Sequence, residues 1–122
     1  MKEDLLHYVW RLQRYDSSNL RTTDGQPIRI QMIGEHNHHS GPDFINARIE
    51  IGKTLWAGNV EMHLNSSDWT AHNHQSNPAY DNVILHVVLD EDEKISRKNG
   101  SKIPCLELKK RISSKLSKVY QE

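Results

Sequence analysis

The sequence predicts an α/β or α+β sandwich, a mixed central sheet flanked by helices, within one domain over residues 1–122. Three observations lead there. The run "VILHVVLD" at 83–90 is nearly all apolar, as a strand covered on both faces must be. Three segments between residues 27 and 64 alternate apolar with polar residues, the two-residue period of half-buried strands. The chain also opens on a helical apolar stripe. At 122 residues it fills one modest core and does not divide in two.

Taken in order, "KEDLLHYVWRLQRY" reads as an amphipathic helix, with Leu5, Val9 and Leu12 on one face, widened by Leu6 and Tyr8. "DSSNLRTTDGQP" is a polar connector with an Asp-Gly turn. "PIRIQMI" alternates Ile28, Ile30 and Met32 against Arg29 and Gln31, a strand. "GEHNHHSGPD" is a glycine-bounded, histidine-rich loop. "FINARIEI" sets Ile45, Ala47, Ile49 and Ile51 against Asn46, Arg48 and Glu50. A "GK" turn leads into "LWAGNVEMHL", where Trp56, Val60, Met62 and Leu64 face one way and Asn59, Glu61 and His63 the other. These three strands read as an antiparallel meander.

"SSDWTAHNHQSNPAYDN" carries a short helix capped by Ser66 or Ser67, with Pro78 closing the segment. After the apolar strand, "EDEKISRKNGSKIPCLEL" holds an Asn-Gly turn and a last strand at 103–108. "KKRISSKLSKVY" reads as a final helix with Leu108, Ile112, Leu116 and Tyr120 on one face. The order is α-β-β-β-α-β, with a further strand and helix.

Composition narrows the function classes. Hydrophobic residues are 35% of the chain and the mean hydropathy is −0.78, and no apolar run nears the roughly 20 residues of a membrane span. "MKEDLLHYVW" lacks the order of a signal peptide, so the expected location is the cytoplasm, with no membrane partner. Cys105 is the single cysteine, so an internal disulfide is excluded and a place within a strand is expected. It has no base near it in sequence, which argues against a thiol nucleophile. No nucleophile-elbow motif supports a serine hydrolase.

Net charge is zero but unevenly spread: residues 94–118 carry nine Lys or Arg against one acid, Glu107. Such a basic end beside an acidic body suits steering of a nucleic-acid backbone, with Lys109, Lys110 and Arg111 as candidate substrate-binding residues. A solvated hairpin and the polar face of a helix would account for the same charges. Six of the eight histidines fall between residues 36 and 74, a clustering that points to metal or proton chemistry.

Glu61 and His63 are two residues apart on one strand, so they share a face with Cα atoms about 7 Å apart. Asp43 stands at the mouth of the preceding strand, which the "GK" turn folds back alongside. Two carboxylates on adjacent strands can share Mg²⁺ or Mn²⁺, and an imidazole beside them can orient or deprotonate water. His72, His74 and, with less reason, Gln75 lie in a loop able to reach the same cleft. His86, inside the apolar strand, reads as a core histidine satisfied by one hydrogen bond. A zinc site drawing on Glu35, His36, His38 and His39 with His63 or His74 is a different reading, but no Cys-x-x-Cys or His-x-x-x-His spacing supports it.

With "PDF" at 42–44 and "EMH" at 61–63, the chain resembles the PD-(D/E)XK nuclease superfamily, which carries an acid at the start of the second strand and Glu-x-Lys on the third. The resemblance implies an αβββαβ, restriction-endonuclease-like core and metal-dependent hydrolysis of phosphodiesters. It makes Asp43 and Glu61 metal ligands, His63 the stand-in for the motif lysine, and Glu3 the additional acid of the first helix. Imidazole in place of lysine is a departure, because it is mostly neutral near pH 7. An inactive interaction module of the same fold and a zinc-dependent hydrolase are the alternatives. The stretches "EDLLHYVW", "GPDFINARI", "WAGNVEMHLNSSDW", "HNHQ", "AYDNVILHVV" and "IPCLELK" together resemble the N-terminal part of an uncharacterised bacterial family, a domain of unknown function. Its members look longer than this chain, which implies a truncated form or an isolated N-terminal domain.

Overall fold

A computed structural model describes residues 1–113. A mixed sheet of six strands forms its centre: β1 Ile28–Met32, β2 Glu35–His36, β3 Phe44–Ile51, β4 Thr54–Asn65, β5 Val83–Asp90 and β6 Cys105–Glu107. The strands run in the order β1-β3-β4-β5-β6, with β2 pairing on β3. β1, β3 and β4 are antiparallel neighbours, whereas β5 is parallel to β4 and β6 to β5. Among the described residues no helix is long and apolar enough to cross a membrane.

Helix α1, Glu3–Arg11, covers one face of the sheet. Glu3 and Asp4 in its first turn and Arg11 in its last suit the helix dipole. Leu5, Leu6, Val9 and Trp10 are buried against Phe44, Ala47, Ile49, Val60, Met62, Leu85, Val87 and Leu106. Leu12, expected on that face, is half exposed, because the helix ends at Arg11 and Gln13 turns left-handed (φ 53°). Trp10 takes the place and donates its indole N–H to Ile33 O at 3.2 Å.

The opposite face is covered by residues 66–82, comprising the one-turn helix α2 (Asp68–Ala71) and two 3₁₀ turns, together with the 91–104 loop. Trp69, Tyr80, Val83, Ile95 and Ile103 form a second apolar cluster there. Both faces of β5 are therefore buried, which is why it lacks alternation. Ser67 stands at the N-cap of α2 but makes no cap bond; its hydroxyl donates to Asp92 Oδ2 at 2.7 Å. Pro78 opens the second 3₁₀ turn rather than closing the segment.

Bulges correct two expected faces. An irregularity between Ile30 and Met32 leaves Met32 exposed and turns Ile33 toward the core. On β3, Asn46 is left-handed (φ 61°), and one extra residue lies between the pairs Phe44↔Val60 and Ala47↔Gly58, so Phe44, not Ile45, is fully buried. The histidine-rich loop contributes the short strand β2. The last strand is three residues, shorter than 103–108. Residues 109–112 form a turn and not the start of a helix, and the remainder of the expected final helix lies outside the described residues.

Candidate functional site

The bulge at Asn46 determines where Asp43 falls. It carries β3 one residue further along, so that Asp43 comes to rest beside Glu61 as β3 leaves the sheet at Phe44. Asp43 Oδ2 accepts the Met62 amide at 2.9 Å, taking the place of a strand partner, and the Asp43 amide donates to Glu61 Oε1 at 3.1 Å. The loop is anchored behind it: Asn37 N–H donates to Asp43 O at 2.8 Å, and the Asn37 side chain donates to Ser40 O and Pro42 O.

Glu61 and His63 project onto the face covered by residues 66–82, and both are buried. Asn73 is left-handed (φ 58°) between the end of α2 and the first 3₁₀ turn, His74–Ser76. That kink turns His72 and His74 to the same side, with both ring centroids 5.2 Å from that of His63. The His74 ring stacks on Tyr80 at 3.7 Å. One ring nitrogen of each of these three histidines falls within 4.8 Å of the others.

Glu61 Oε2 lies 2.8 Å from His74 Nε2 and 3.2 Å from His63 Nε2. His74 Nε2 is nonetheless outside hydrogen-bond geometry and has no other partner. His63 Nδ1 meets His86 Nε2, on the adjacent strand, at 2.8 Å, and His86 Nδ1 is left without a partner. On the other side, α1 brings in His7, whose Nε2 is 3.5 Å from Asp43 Oδ2 and 4.0 Å from Glu3 Oε1, also outside hydrogen-bond geometry. Ligand atoms of Glu3, His7 and Asp43 form a second group within 4.8 Å. Glu61 stands between an oxygen-rich group and a nitrogen-rich one.

The protonation states follow from this burial. Desolvation, and then the neighbouring Asp43 charge, push Glu61 up to about 10. Burial also works on Asp43, but contacts from His7, Glu61 and the Met62 amide outweigh it and hold its carboxyl below the usual range. One proton is thus shared by the pair and resides on Glu61. Burial, reinforced by neighbouring imidazoles, lowers His63 to about 4 and His86 to about 3, and it lowers His74 as well. Burial opposes charge on His7, yet Asp43 and Glu3 raise it. Glu3 is raised by burial and by Asp43. Neutral imidazoles are the form that binds metal ions, and orphaned ring nitrogens facing carboxylates are a donor set that fits a divalent cation.

The expected residues Asp43, Glu61, His63, Glu3, His72 and His74 therefore converge. Gln75 is near, its Oε1 buried without a partner. The basic residues do not join them through any described contact: Lys109 pairs with Asp90 at 3.2 Å, and Arg111 donates to the carbonyls of Asp16, Ser18 and Asn19. Lys110 lines surface cavities with residues 13–16 and 18–23. Glu35, His36, His38 and His39 enter neither ligand group; His36 packs instead against His7, His38 and Phe44. The sequence reading missed His7, although its i,i+4 spacing from Glu3 places both on one helix face. His86 is the core histidine with one hydrogen bond that the sequence predicts, and its partner is His63.

No curated protein and no solved structure matches the chain. A family model does match, over residues 3–122. The chain belongs to the family described as "Protein of unknown function (DUF2851)".

Proposed function

We propose that this chain is a metal-dependent phosphodiesterase of the αβββαβ nuclease type, acting on nucleic acid with Mg²⁺ or Mn²⁺. The observation that carries the reading is the Asp43–Glu61 pair, two carboxyls from neighbouring strands held together by the bond from the Asp43 amide to Glu61 Oε1 where β3 leaves β4. The strand order supports it: an antiparallel β3–β4 hairpin followed by a crossover to parallel β5, with a helix ahead. So does the convergence of Glu3 from α1 on Asp43.

Asp43 and Glu61 hold the cation, and Glu3 and His7 complete its surroundings from α1. When bound, the cation supplies a Lewis acid for a phosphoryl oxygen and acidifies water. His63, kept neutral by burial, accepts or orients a proton at Nε2 beside Glu61. Its Nδ1 contact with His86 fixes the ring.

The test is calorimetric titration of Mn²⁺ and Mg²⁺ into wild type, Asp43→Ala and Glu61→Ala, with cleavage of single- and double-stranded DNA and RNA assayed on the same samples. Saturable binding lost in both variants, together with cleavage dependent on the metal, is the expected result. Nucleic-acid binding that survives Asp43→Ala, with no cleavage in any sample, would favour an inactive interaction module. No metal binding in wild type would overturn the proposal.

A further inference from the structure

The imidazole side of the cluster is not explained by a Mg²⁺-type site. Such a cation prefers oxygen ligands and retains waters, whereas His63, His72 and His74 bring three ring nitrogens within 4.8 Å of one another. We infer that His63, His72, His74 and Glu61 Oε2 form a separate three-nitrogen, one-oxygen site for a borderline transition-metal ion, Zn²⁺ or Co²⁺. This goes beyond the phosphodiesterase proposal and does not depend on it; with the ion bound, His63 Nε2 is a ligand and the proton-accepting role assigned to it above is given up.

The donor spacing fits. Arms of about 2.0–2.1 Å place tetrahedral ligand atoms about 3.3 Å apart. Glu61 Oε2 is 3.2 Å from His63 Nε2, near that value, and 2.8 Å from His74 Nε2, a shorter edge that requires a narrowed angle at the ion. His74 supplies an independent observation: it is nine-tenths buried, and its Nε2 lies close to the carboxylate without the direction of a hydrogen bond. His74 Nε2 is thus left beside the carboxylate with no hydrogen bond to occupy it.

The outer partners have the arrangement that metal-bound histidines use. His63 can ligate through Nε2 while Nδ1 donates to His86 Nε2 at 2.8 Å, which fixes ring and tautomer together. His74 is held by stacking on Tyr80 and by an edge contact with Trp69. His72 is exposed, so the site opens to solvent on that side. Glu61 directs Oε1 to the Asp43 amide and Oε2 to the imidazoles, and a carboxylate placed so can serve the two sides at once.

The test uses the full chain, stripped with chelator. Co²⁺ is titrated while the visible d–d absorption of a tetrahedral nitrogen–oxygen site is followed, and Zn²⁺ is then added as competitor. The expected result is one Co²⁺ per chain, displaced by Zn²⁺, with affinity lowered at least about tenfold in His72→Ala and in His74→Ala. Asp43→Asn, on the other side, keeps the tetrahedral spectrum and loses only the Mg²⁺ or Mn²⁺ response. His72 is exposed, so His72→Ala retains the fold and decides the matter even if His74→Ala does not. Wild-type affinity and spectrum in His72→Ala, or no Co²⁺ and Zn²⁺ binding by wild type at micromolar concentration, would overturn the inference. Neither result bears on whether the Asp43 side cleaves phosphodiesters.

Discussion

Asp43 and Glu61 are locked by a crossed pair of contacts: the Asp43 amide bonds Glu61 Oε1 at 3.1 Å, while the Asp43 carboxylate takes the amide that follows Glu61 at 2.9 Å. The backbone thus holds two carboxyls together that would repel if both were ionised. Retaining one proton between them is how the metal-free chain tolerates the arrangement.

This gives metal-free stability a definite pH dependence. His63 and His86 fall from 6.5 to about 4 and about 3, and His74 also falls, so below pH 6.5 the unfolded chain binds more protons at these sites. Glu61 rises from 4.5 to about 10, so above pH 4.5 the native chain keeps a proton that the unfolded chain releases. Between 4.5 and 6.5 the histidines outnumber Glu61 and stability rises with pH. Above 6.5 Glu61, joined by the raised His7 and, above pH 9, by the raised Cys105, still differs in that direction, and stability falls toward pH 10. Each unmatched proton contributes a slope of about 1.4 kcal/mol per pH unit. Urea midpoints of chelated protein from pH 5 to 9 should therefore peak near 6.5, and Glu61→Gln should flatten the alkaline limb. A wild-type midpoint still climbing at pH 9 would show Glu61 ionised without metal.

His86 should trade stability for binding. It is fully buried, and its Nδ1 has no partner, a standing cost in an apolar strand. His86→Leu removes that cost and the burial of a polar ring in an apolar strand, which outweighs leaving His63 Nδ1 without its partner, and is expected to raise the urea midpoint. Loss of the contact to His63 should at the same time weaken Zn²⁺ or Co²⁺ binding by about 10–100-fold. Unchanged affinity in His86→Leu would mean that the His63–His86 contact is packing alone.

How much of this was legible in the sequence depended on whether one residue could be read by its period. The buried strand β5 and the hairpin around "GK" followed from patterning, which brings Asp43 to the neighbourhood of Glu61, but the residue it meets there is set by the bulge at Asn46. The faces of Met32 and Ile45 did not, because a bulge adds a residue that leaves composition and alternation unchanged on either side. Asn46 carried the only local hint, as a residue that tolerates the left-handed region. His72 and His74 were readable as neighbours but not as ring partners, since their convergence needs the left-handed Asn73 between them. The basic run was legible as charge, yet charge alone did not reveal that Arg111 would bind backbone carbonyls.

Arg111 is expected to act on the fold. Its guanidinium donates to Asp16 O, Ser18 O and Asn19 O at 2.8–3.1 Å, tying residues 109–112 to the connector after α1. Arg111→Ala should cost about 1–2 kcal/mol, the scale of a few partly exposed hydrogen bonds to a charged group. Amide exchange should accelerate at residues 16–20 while nucleic-acid affinity changes little. A salt-dependent loss of nucleic-acid binding with unaltered stability would restore Arg111 as a phosphate contact.

Gly58 tests the closeness of β4 and β5 upstream of the site. A Cβ there would lie 2.5 Å from Ile84 Cγ2 and 2.6 Å from Asn82 O, and the latter is backbone that cannot rotate away. The clash falls just before the irregularity that sets Glu61 opposite His86. Gly58→Ala should therefore destabilise by about 1–3 kcal/mol, as overpacking does, and should weaken metal binding by disturbing that alignment. Gly25→Ala is the control: its φ of +86° gives backbone strain of about 1–2 kcal/mol, but nothing lies within 4 Å of the added methyl. Equal stability losses are compatible with both origins, so the discriminating measurement is Co²⁺ affinity at equal fraction folded. A drop in Gly58→Ala but not in Gly25→Ala would tie the β4–β5 register to the site. Equal affinities would separate them.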